Sequence, residues 1–375
     1  MKIIIKGIIL FFAASVILGL HSCVSIENIE PQQSEIWYNL APVKQNSTTK
    51  AEFSAFTGTF GTFAYKFEAG KSYDANKNDA GIEKYIDNAE ISKQGGVWKG
   101  ATSYFWPIGG GSLTFFSYAP YDDLKNKVTC TPANGIMFTD YEVSAVAGNL
   151  SSETDLLVAD VAKDLNSNTN PGAYYTTGVP TLFRHKLCTG QFLVSYANEP
   201  AKRGAGSDNS DKIVIKGFQL KNIYSQGDFI LNKWQNLEQV TDFPQSLSSD
   251  INLEYDFSST PTKPIDAVVF SETIAIPQPT NAAGRVNAPE FVISYTKGGG
   301  ALQTSQVKIY SPTLPIWEAG SRIIYRITIS TKDEYIEFSG SSSSWAEENK
   351  GNVNVGICCE NGYHMVLSSA LFVSF

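Results

Sequence analysis

The feature that most restricts the fold of this chain is a long succession of short, strand-like runs that begins at Ala51. Apolar and polar side chains alternate in these runs, and valine, isoleucine, phenylalanine and tyrosine are frequent, which is typical of β-strands. In the run 60–67 (FGTFAYKF), successive side chains point to opposite faces of an extended chain. Helical periods are few, so the pattern predicts an all-β fold of sandwiches rather than alternating strands and helices.

Segments rich in glycine, proline, asparagine and serine separate the runs and mark turns. Three glycines at 109–111 predict a hairpin between the runs SYFWPI and SLTFFSYAP, and GAGSDNSD (204–211) is predicted to be a loop between strands. Further strands are predicted at GIMFTDYEV, DLLVADV, VPTLFRHKL, GQFLVSYA, KIVIKGFQLKNI, GDFILNKW, DAVVFSETIAIP, EFVISYTKG, SQVKIYSP, RIIYRITIS and EYIEFSG. A chain of 375 residues has room for two domains. We predict an N-terminal β-sandwich at 51–179 and a C-terminal β-sandwich at 180–350.

The composition argues against one class of partner, nucleic acid, and favours β structure. Lysine and arginine together number 29 against 37 acidic residues, which gives a net charge of −8 and argues against nucleic acid as a partner. Only 18% of the residues are charged, whereas the chain holds 30 glycines, 18 tyrosines and 22 phenylalanines. This balance favours β structure with many turns.

The N-terminus carries an export signal. Lys2 and Lys6 precede an apolar run from Gly7 to Leu20, which is shorter than the ~20 residues of a membrane-spanning helix. The tetrapeptide that ends at Cys23 (LHSC) resembles a bacterial lipobox, in which lipid is attached to the cysteine and cleavage falls just before it. Residues 1–22 are therefore predicted to be a lipoprotein signal peptide. The alternative is an ordinary signal peptide followed by a chance cysteine.

Two segments outside the predicted sandwiches have the pattern of single strands. In the propeptide, predicted at 23–50, Ile36, Tyr38 and Leu40 form one apolar face and a polar linker follows. This segment is expected to fill a groove in the first sandwich as an edge strand. In the tail, 351–375, one face is formed by Met365, Leu367, Leu371, Val373 and Phe375. That face suits a strand donated to another molecule, but it also suits an ordinary last strand.

Residues that could carry enzymatic chemistry are few. Of the three histidines, His21 leaves with the signal peptide and His185 stands between two basic residues on a predicted strand, which indicates a structural role. No G-x-S-x-G motif and no zinc-like cysteine spacing occur. We therefore predict no catalytic residue, no cofactor and no metal site. Trp98 and Trp106 could stack on sugar rings, although buried packing beside the glycine turn is the favoured interpretation.

Several segments together resemble the fimbrillin family, the pilin-like surface lipoproteins of anaerobic Gram-negative bacteria that form type V pili. The resemblance spans about 23–355 and rests on FGTFAYKF (60–67), VWKGATSYFWPIGGGSLTFFSYAPY (97–121), TDLLVAD (154–160), VPTLFRHKL (179–187), PIWEAGSRIIYRITIS (315–330) and IEFSGSSSSWAEENKGNVNV (336–355). It implies two tandem transthyretin-like Greek-key β-sandwiches and a role in cell-surface fimbriae and cell adhesion.

The resemblance also implies a route of assembly. Lipid on Cys23, palmitate among its acyl chains, would anchor the subunit to the cell outer membrane, with the protein exposed at the surface. A trypsin-like protease would then cut between Lys50 and Ala51, the N-terminal strand would leave, and a strand from another fimbrial subunit would fill the groove. Family members typically carry arginine where Lys50 stands. Either a lysine-accepting protease acts, or the subunit stays uncut as an anchor or tip accessory.

Two functions stay open from the sequence. The first is a structural or accessory subunit of fimbriae that is assembled by proteolysis-triggered strand exchange. The second is a monomeric surface lipoprotein that acts as an adhesin and binds glycan or host protein. The partners expected are other fimbrial subunits, a processing protease, the outer membrane and a host or bacterial surface receptor.

Overall fold

The computed structural model describes residues 34–40, 58–167, 177–201, 211–245, 247–280, 288–309, 314, 316–332, 336–344 and 357–359. Nearly all regular structure in these ranges is β, with two helices of four residues, α1 (Tyr73–Asn76) and α2 (Tyr121–Leu124), and a 3-10 turn at Asn149–Ser151. The strands are β1 (Tyr38–Leu40), β2 (Phe60–Phe67), β3 (Glu83–Gln94), β4 (Val97–Gly100), β5 (Ser112–Ala119), β6 (Val128–Thr131), β7 (Gly135–Glu142), β8 (Leu157–Ala159), β9 (Ala162–Leu165), β10 (Val179–Thr181), β11 (Phe183–His185), β12 (Cys188–Tyr196), β13 (Ile213–Ile230), β14 (Lys233–Gln245), β15 (Ile251–Asn252), β16 (Glu254–Asp256), β17 (Lys263–Ile265), β18 (Ala267–Ala275), β19 (Gln278–Pro279), β20 (Glu290–Lys297), β21 (Gln303–Lys308), β22 (Ile316–Trp317), β23 (Ser321–Ile329), β24 (Ile336–Ser344) and β25 (Ile357–Cys359). The predicted all-β fold is confirmed.

The first sheet curls round until its two ends approach each other. Its nine strands follow the order β10-β1-β4-β3-β2-β5-β8-β11, with β9 also paired to β5. The end strands β10 and β11 are consecutive in the chain and only Leu182 separates them. Val179 of one end and Phe183 of the other therefore lie in the same buried cluster, which also contains Phe60 and Phe115.

The other face of this sheet is also buried. In β2, Phe60 and Ala64 face the inside of the curl, whereas Phe63 and Tyr65 face a second core shared with β7 and the end of β13. Burial on both faces explains why FGTFAYKF is almost continuously apolar or aromatic, because neither face of the strand meets water.

A third core lies between the two remaining large sheets. One has the order β18-β12-β23-β24-β25, and the other has the order β21-β20-β13-β7-β6 with β14 and β15 also paired to β13. Phe192 of β12 stacks on Tyr325 of β23 with ring centroids 4.8 Å apart, and the indole of Trp317 donates a hydrogen bond of 2.9 Å to the Tyr325 hydroxyl. These contacts hold together the centre of the third core.

One strand of 18 residues, β13, joins the second and third cores. The first half of β13 pairs with β20 and places Phe218 in the third core. The C-terminal end of β13 pairs with β7 and places Phe229 in the second core. The two cores are therefore linked by a continuous sheet. The domain boundary predicted between residues 179 and 180 stays a prediction. The strands β13 and β14 each contribute side chains to both the second and the third core.

Two predictions of strands need correction, and one long strand was missed. SYFWPI (103–108) is not a strand: Phe105 forms a single bridge with Glu35, Pro107 has no N–H to donate, and Trp106 turns into the core. The runs KIVIKGFQLKNI and GDFILNKW, predicted as two strands, are mostly one, β13. The long strand β3 was not predicted, since its exposed and polar residues outnumber its buried ones.

In the described part of the chain, no helix is long and apolar enough to cross a membrane.

Candidate strand-exchange site

The candidate site is the position of β1 in the first sheet. The strand lies between β10, which runs parallel to it with Tyr38 beside Val179, and β4, where Tyr38 faces Trp98 in antiparallel register. The sequence predicted an edge strand, but β1 is flanked on both sides, because 179–181 return to pair with its outer side. The strand therefore fills a gap within the sheet.

Backbone hydrogen bonds hold the segment on both sides. The Ile36 N–H donates to the Tyr104 carbonyl at 2.7 Å, and the Val179 N–H donates to the Trp37 carbonyl at 2.8 Å. Removal of the segment would leave these groups, and the edges of β4 and β10, without their partners. Such unpaired edges are templates for another strand.

The apolar face predicted for the segment is turned into the core. Ile36 and Tyr38 are each only 2% exposed, and Leu40 packs against the same cluster while partly buried. The Tyr38 ring makes edge-to-face contacts with Phe60 and Phe115, with centroids 5.4 and 5.9 Å apart. Burial raises the pKa of Tyr38 above its ordinary value, since the phenolate would lose its hydration.

An ion pair fixes the entrance of the segment. The carboxylate of Glu35 accepts a hydrogen bond of 2.6 Å from the Ser103 hydroxyl and lies 3.2 Å from the Lys99 ammonium. The hydrogen bond from Ser103, aided by Lys99, lowers the pKa of Glu35 below its ordinary value. The charged carboxylate of Glu35 is thus the form that holds this segment to Ser103 and Lys99.

We expect the attachment of β1 to weaken in acid through Glu35. A carboxyl whose pKa is lower in the folded state stabilises that state above its unfolded pKa, and the contribution is lost as the pH falls through the folded pKa. Glu35→Gln should therefore show a smaller loss of stability between pH 7 and the acid range than the parent protein. Urea denaturation at several pH values measures this, with Glu68→Gln, an exposed carboxyl in a pair of 3.5 Å with Lys71, as the control. Identical pH profiles for the parent and Glu35→Gln would contradict it.

A glycine lets the chain pass close to β1. Gly178 has a positive φ of 75°, and a Cβ atom placed on it would lie 2.6 Å from the ring of Trp37 and 3.1 Å from the Asn39 nitrogen. Any other residue would push the Trp37 ring or the β1 backbone away from β10.

Gly178→Ala is expected to lower the free energy of unfolding by about 2–3 kcal/mol, of which about 1 is the strain of a positive φ and the rest is the clash with Trp37. Gly81→Ala is the matched control, because Gly81 has a φ of 78° and nothing within 4 Å of the new Cβ. Chemical denaturation of both variants separates the two causes. Equal losses would show that the Trp37 contact adds nothing.

Comparisons with known proteins identify the family and the fold of this chain. The chain matches the fimbrillin-like family over residues 49–345. This chain belongs to the fimbrillin-like family. It is 23% identical over 360 residues to the fimbrium subunit Fim1C of Phocaeicola vulgatus, with 85% of this chain and 89% of the relative covered. Its fold is similar to the crystal structure of a fimbrial protein from Bacteroides vulgatus, at a TM-score of 0.56 and 20% identity, with 83% of this chain and 99% of that chain covered.

Membership of the fimbrillin-like family confirms the resemblance and assigns the chain to a family of fimbrial proteins rather than enzymes. The side chains considered for other roles are structural in the described part. Trp106 is 2% exposed and contacts Phe115 at 5.8 Å, so its predicted buried packing is confirmed. His185 Nδ1 lies 2.7 Å from the Asp155 carboxylate on the half-buried side of β11. Cys130 and Cys188 are buried free thiols.

Six predicted site residues lie outside the described residues: Cys23, Lys50, Ala51, Leu367, Leu371 and Val373. Of the predicted strand-exchange residues, the structure brings together Ile36, Tyr38 and Leu40. Sequence reasoning did not identify the roles of Glu35 and Gly178. A glycine directly before the strand VPT was the available signal for Gly178, whereas nothing in the sequence pairs Glu35 with residues more than sixty positions away.

Proposed function

We propose that this fimbrillin-like chain is a fimbrial subunit that is exported as an outer-membrane lipoprotein and assembled by strand exchange at the β1 position. Lipid on Cys23 holds the chain at the outer membrane. Cleavage between Lys50 and Ala51 frees β1, and a strand of another subunit takes its place. The partners are then other fimbrial subunits, the processing protease and the membrane itself.

The observation that carries this proposal is the placement of β1. The strand pairs with β10 and β4, not with β2, which follows it in the chain. After a cut in the connection between β1 and β2, β1 would be held to the sheet only by its non-covalent contacts, with β10 and β4 as its strand partners. The family match supports the proposal as well, since it starts at 49, beside the predicted cut, and stops at 345. Both segments proposed to exchange lie outside it.

The magnitudes favour exchange once the chain is cut. Burial of Ile36 and Tyr38 at ~1.5–3 kcal/mol each contributes roughly 3–6 kcal/mol, and each backbone hydrogen bond adds about 1 kcal/mol net. A donor strand with five inward apolar side chains would contribute roughly 8–15 kcal/mol before ordering costs. The tail carries such a face, formed by Met365, Leu367, Leu371, Val373 and Phe375. A longer strand can therefore displace β1.

The test is to treat the purified protein with a trypsin-like protease and to follow oligomers on denaturing gels without heating. Cleavage after Lys50 with release of β1 and ladders of oligomers is the expected result. Lys50→Gln combined with Lys44→Gln, which removes both lysines between β1 and β2, should stay monomeric. A confirmed cut without oligomers would reject the stalk role. A chain that is never cut in cells would instead favour an anchor or tip subunit, consistent with lysine where the family typically has arginine.

Cys23→Ala should abolish incorporation of radiolabelled palmitate and release the protein from the outer-membrane fraction. The physical reason is that two or more acyl chains bind a bilayer stably, and Cys23→Ala removes the residue to which they are proposed to be attached. Metabolic labelling followed by membrane fractionation measures both effects. Ser25→Ala, two residues further on, should behave as the parent protein. Normal labelling of Cys23→Ala would show that another residue carries the lipid.

A further inference from the structure

The apolar groove that β1 fills has a polar spot on its floor. Thr62 of β2 and Ser117 of β5 face each other across the two strands and are 0% and 3% exposed. Their hydroxyl oxygens lie 3.0 Å apart, and the Thr62 hydroxyl also lies 3.4 Å from the Phe116 carbonyl oxygen. When Ser117 donates to Thr62 and Thr62 donates to this carbonyl, both hydroxyl protons are used within the floor itself.

The ring of Tyr38 lies over this polar spot. It contacts Phe60 and Phe115. On β2, Phe60 stands two positions before Thr62, and on β5, Phe115 stands two positions before Ser117. Because β2 and β5 are antiparallel, the two phenylalanines lie on either side of the hydroxyl pair, and a ring that touches both lies across it. The pKa of Tyr38 agrees with this placement, since burial raises it and the neighbouring Thr62 side chain partly opposes the rise.

The Tyr38 hydroxyl is buried at this position without a hydrogen bond to any of the residues that the structure describes. Other buried tyrosine hydroxyls form hydrogen bonds of 2.6 to 3.2 Å: Tyr65 with the Cys130 carbonyl, Tyr118 with the Asn88 side chain, Tyr141 with the Thr154 carbonyl and Tyr325 with the Trp317 indole. A hydroxyl that loses water without gaining a partner costs free energy. Such a group in a folded protein calls for an explanation.

We propose that the Tyr38 hydroxyl is a release element, which makes β1 a weaker occupant of the groove than the strand that replaces it. The ring supplies packing that holds β1 in the uncut subunit, whereas the unpaired hydroxyl reduces the net gain from that packing. The proposal rests on the proposed function, since it concerns the step in which another strand takes the place of β1. Residues 365–375, the proposed donor segment, contain no tyrosine, so this segment would fill the groove without a buried phenol.

The first test uses the uncut full-length protein and the substitution Tyr38→Phe, which removes the hydroxyl and keeps the ring. The variant is expected to unfold at a higher urea concentration than the parent protein, because no unpaired group is buried with the ring. Hydrogen exchange at the Val179 amide, which donates to the Trp37 carbonyl, should slow by roughly fivefold to a hundredfold, since β1 detaches less often.

Tyr65→Phe is the matched control, because Tyr65 is a buried tyrosine of the same sheet whose hydroxyl donates to the Cys130 carbonyl at 2.6 Å. This variant loses a hydrogen bond and should unfold at a lower urea concentration than the parent. The two substitutions are thus expected to shift the urea midpoint in opposite directions. A midpoint for Tyr38→Phe at or below that of the parent would show that the Tyr38 hydroxyl does not weaken β1, and the proposal would be overturned.

The cut protein separates failure of the release element from failure of strand exchange. Because β1 has to leave as the donor strand enters, oligomers should form more slowly in Tyr38→Phe than in the parent after the cut at Lys50. Equal rates of assembly would reject the release element and leave strand exchange standing. Absence of oligomers in the parent after a confirmed cut would reject strand exchange, whereas the urea and hydrogen-exchange results for the uncut protein would still decide whether the hydroxyl weakens β1.

Discussion

Tyr38→Ala is expected to lower the free energy of unfolding of the uncut protein by about 3–5 kcal/mol, the range for removal of a large aromatic side chain from a core. The ring is 2% exposed and contacts Phe60 and Phe115 at 5.4 and 5.9 Å. Its loss leaves a cavity between β1 and the rest of the curled sheet. Because β1 is held by few other side chains, the segment should also detach more often before any cleavage.

Urea denaturation measures the loss of stability, and hydrogen exchange at the Val179 amide, which donates to the Trp37 carbonyl, measures detachment of β1. Asn39→Ala is the matched control, since Asn39 lies on the same strand with an exposed side chain. We expect that variant to stay within about 0.5 kcal/mol of the parent. A Tyr38→Ala protein as stable as the Asn39→Ala protein would show that β1 contributes little to the sandwich.

Leu371→Asp is expected to abolish polymerisation of the cut protein while leaving the fold of the monomer intact. If the tail fills the groove of a neighbour, the aspartate would place an unpaired charge in an apolar site at a cost of several kcal/mol. That cost is a large part of the roughly 8–15 kcal/mol that five inward side chains provide. The measurement is the fraction of protein in oligomers after cleavage at Lys50.

Ser368→Asp provides the control for charge, because residue 368 falls on the opposite face of an alternating strand. It should polymerise like the parent. Equal loss of oligomers in both variants would indicate a general effect of negative charge in the tail, and unchanged oligomers in Leu371→Asp would show that the tail is not the donor strand. A slip of one residue would exchange the two faces, so the pair of variants also reports register.

The period-two pattern of the sequence was sufficient for the fold class and for most of the strands. It was also sufficient for the apolar face of 36–40, because alternation reveals which side chains share a face whatever they pack against. The sequence pattern was less informative about which strands pair with each other. The prediction that β1 is an edge strand was wrong, since the neighbour on its outer side, β10, comes from 179–181, about 140 positions later in the chain. SYFWPI shows the opposite error, because its strand-like composition belongs to a loop in which only Trp106 is buried.

The sequence by itself thus determined that this chain is an all-β protein and that residues 36–40 have one apolar face, because those properties depend on local composition and periodicity. Only the tertiary structure decided that β10 returns to pair with β1, that Glu35 pairs with Lys99 and Ser103, and that Gly178 lies against Trp37. The physical reason is that each of these features joins residues far apart in the chain, and the free energy that selects them comes from packing and pairing in the folded state rather than from local preference.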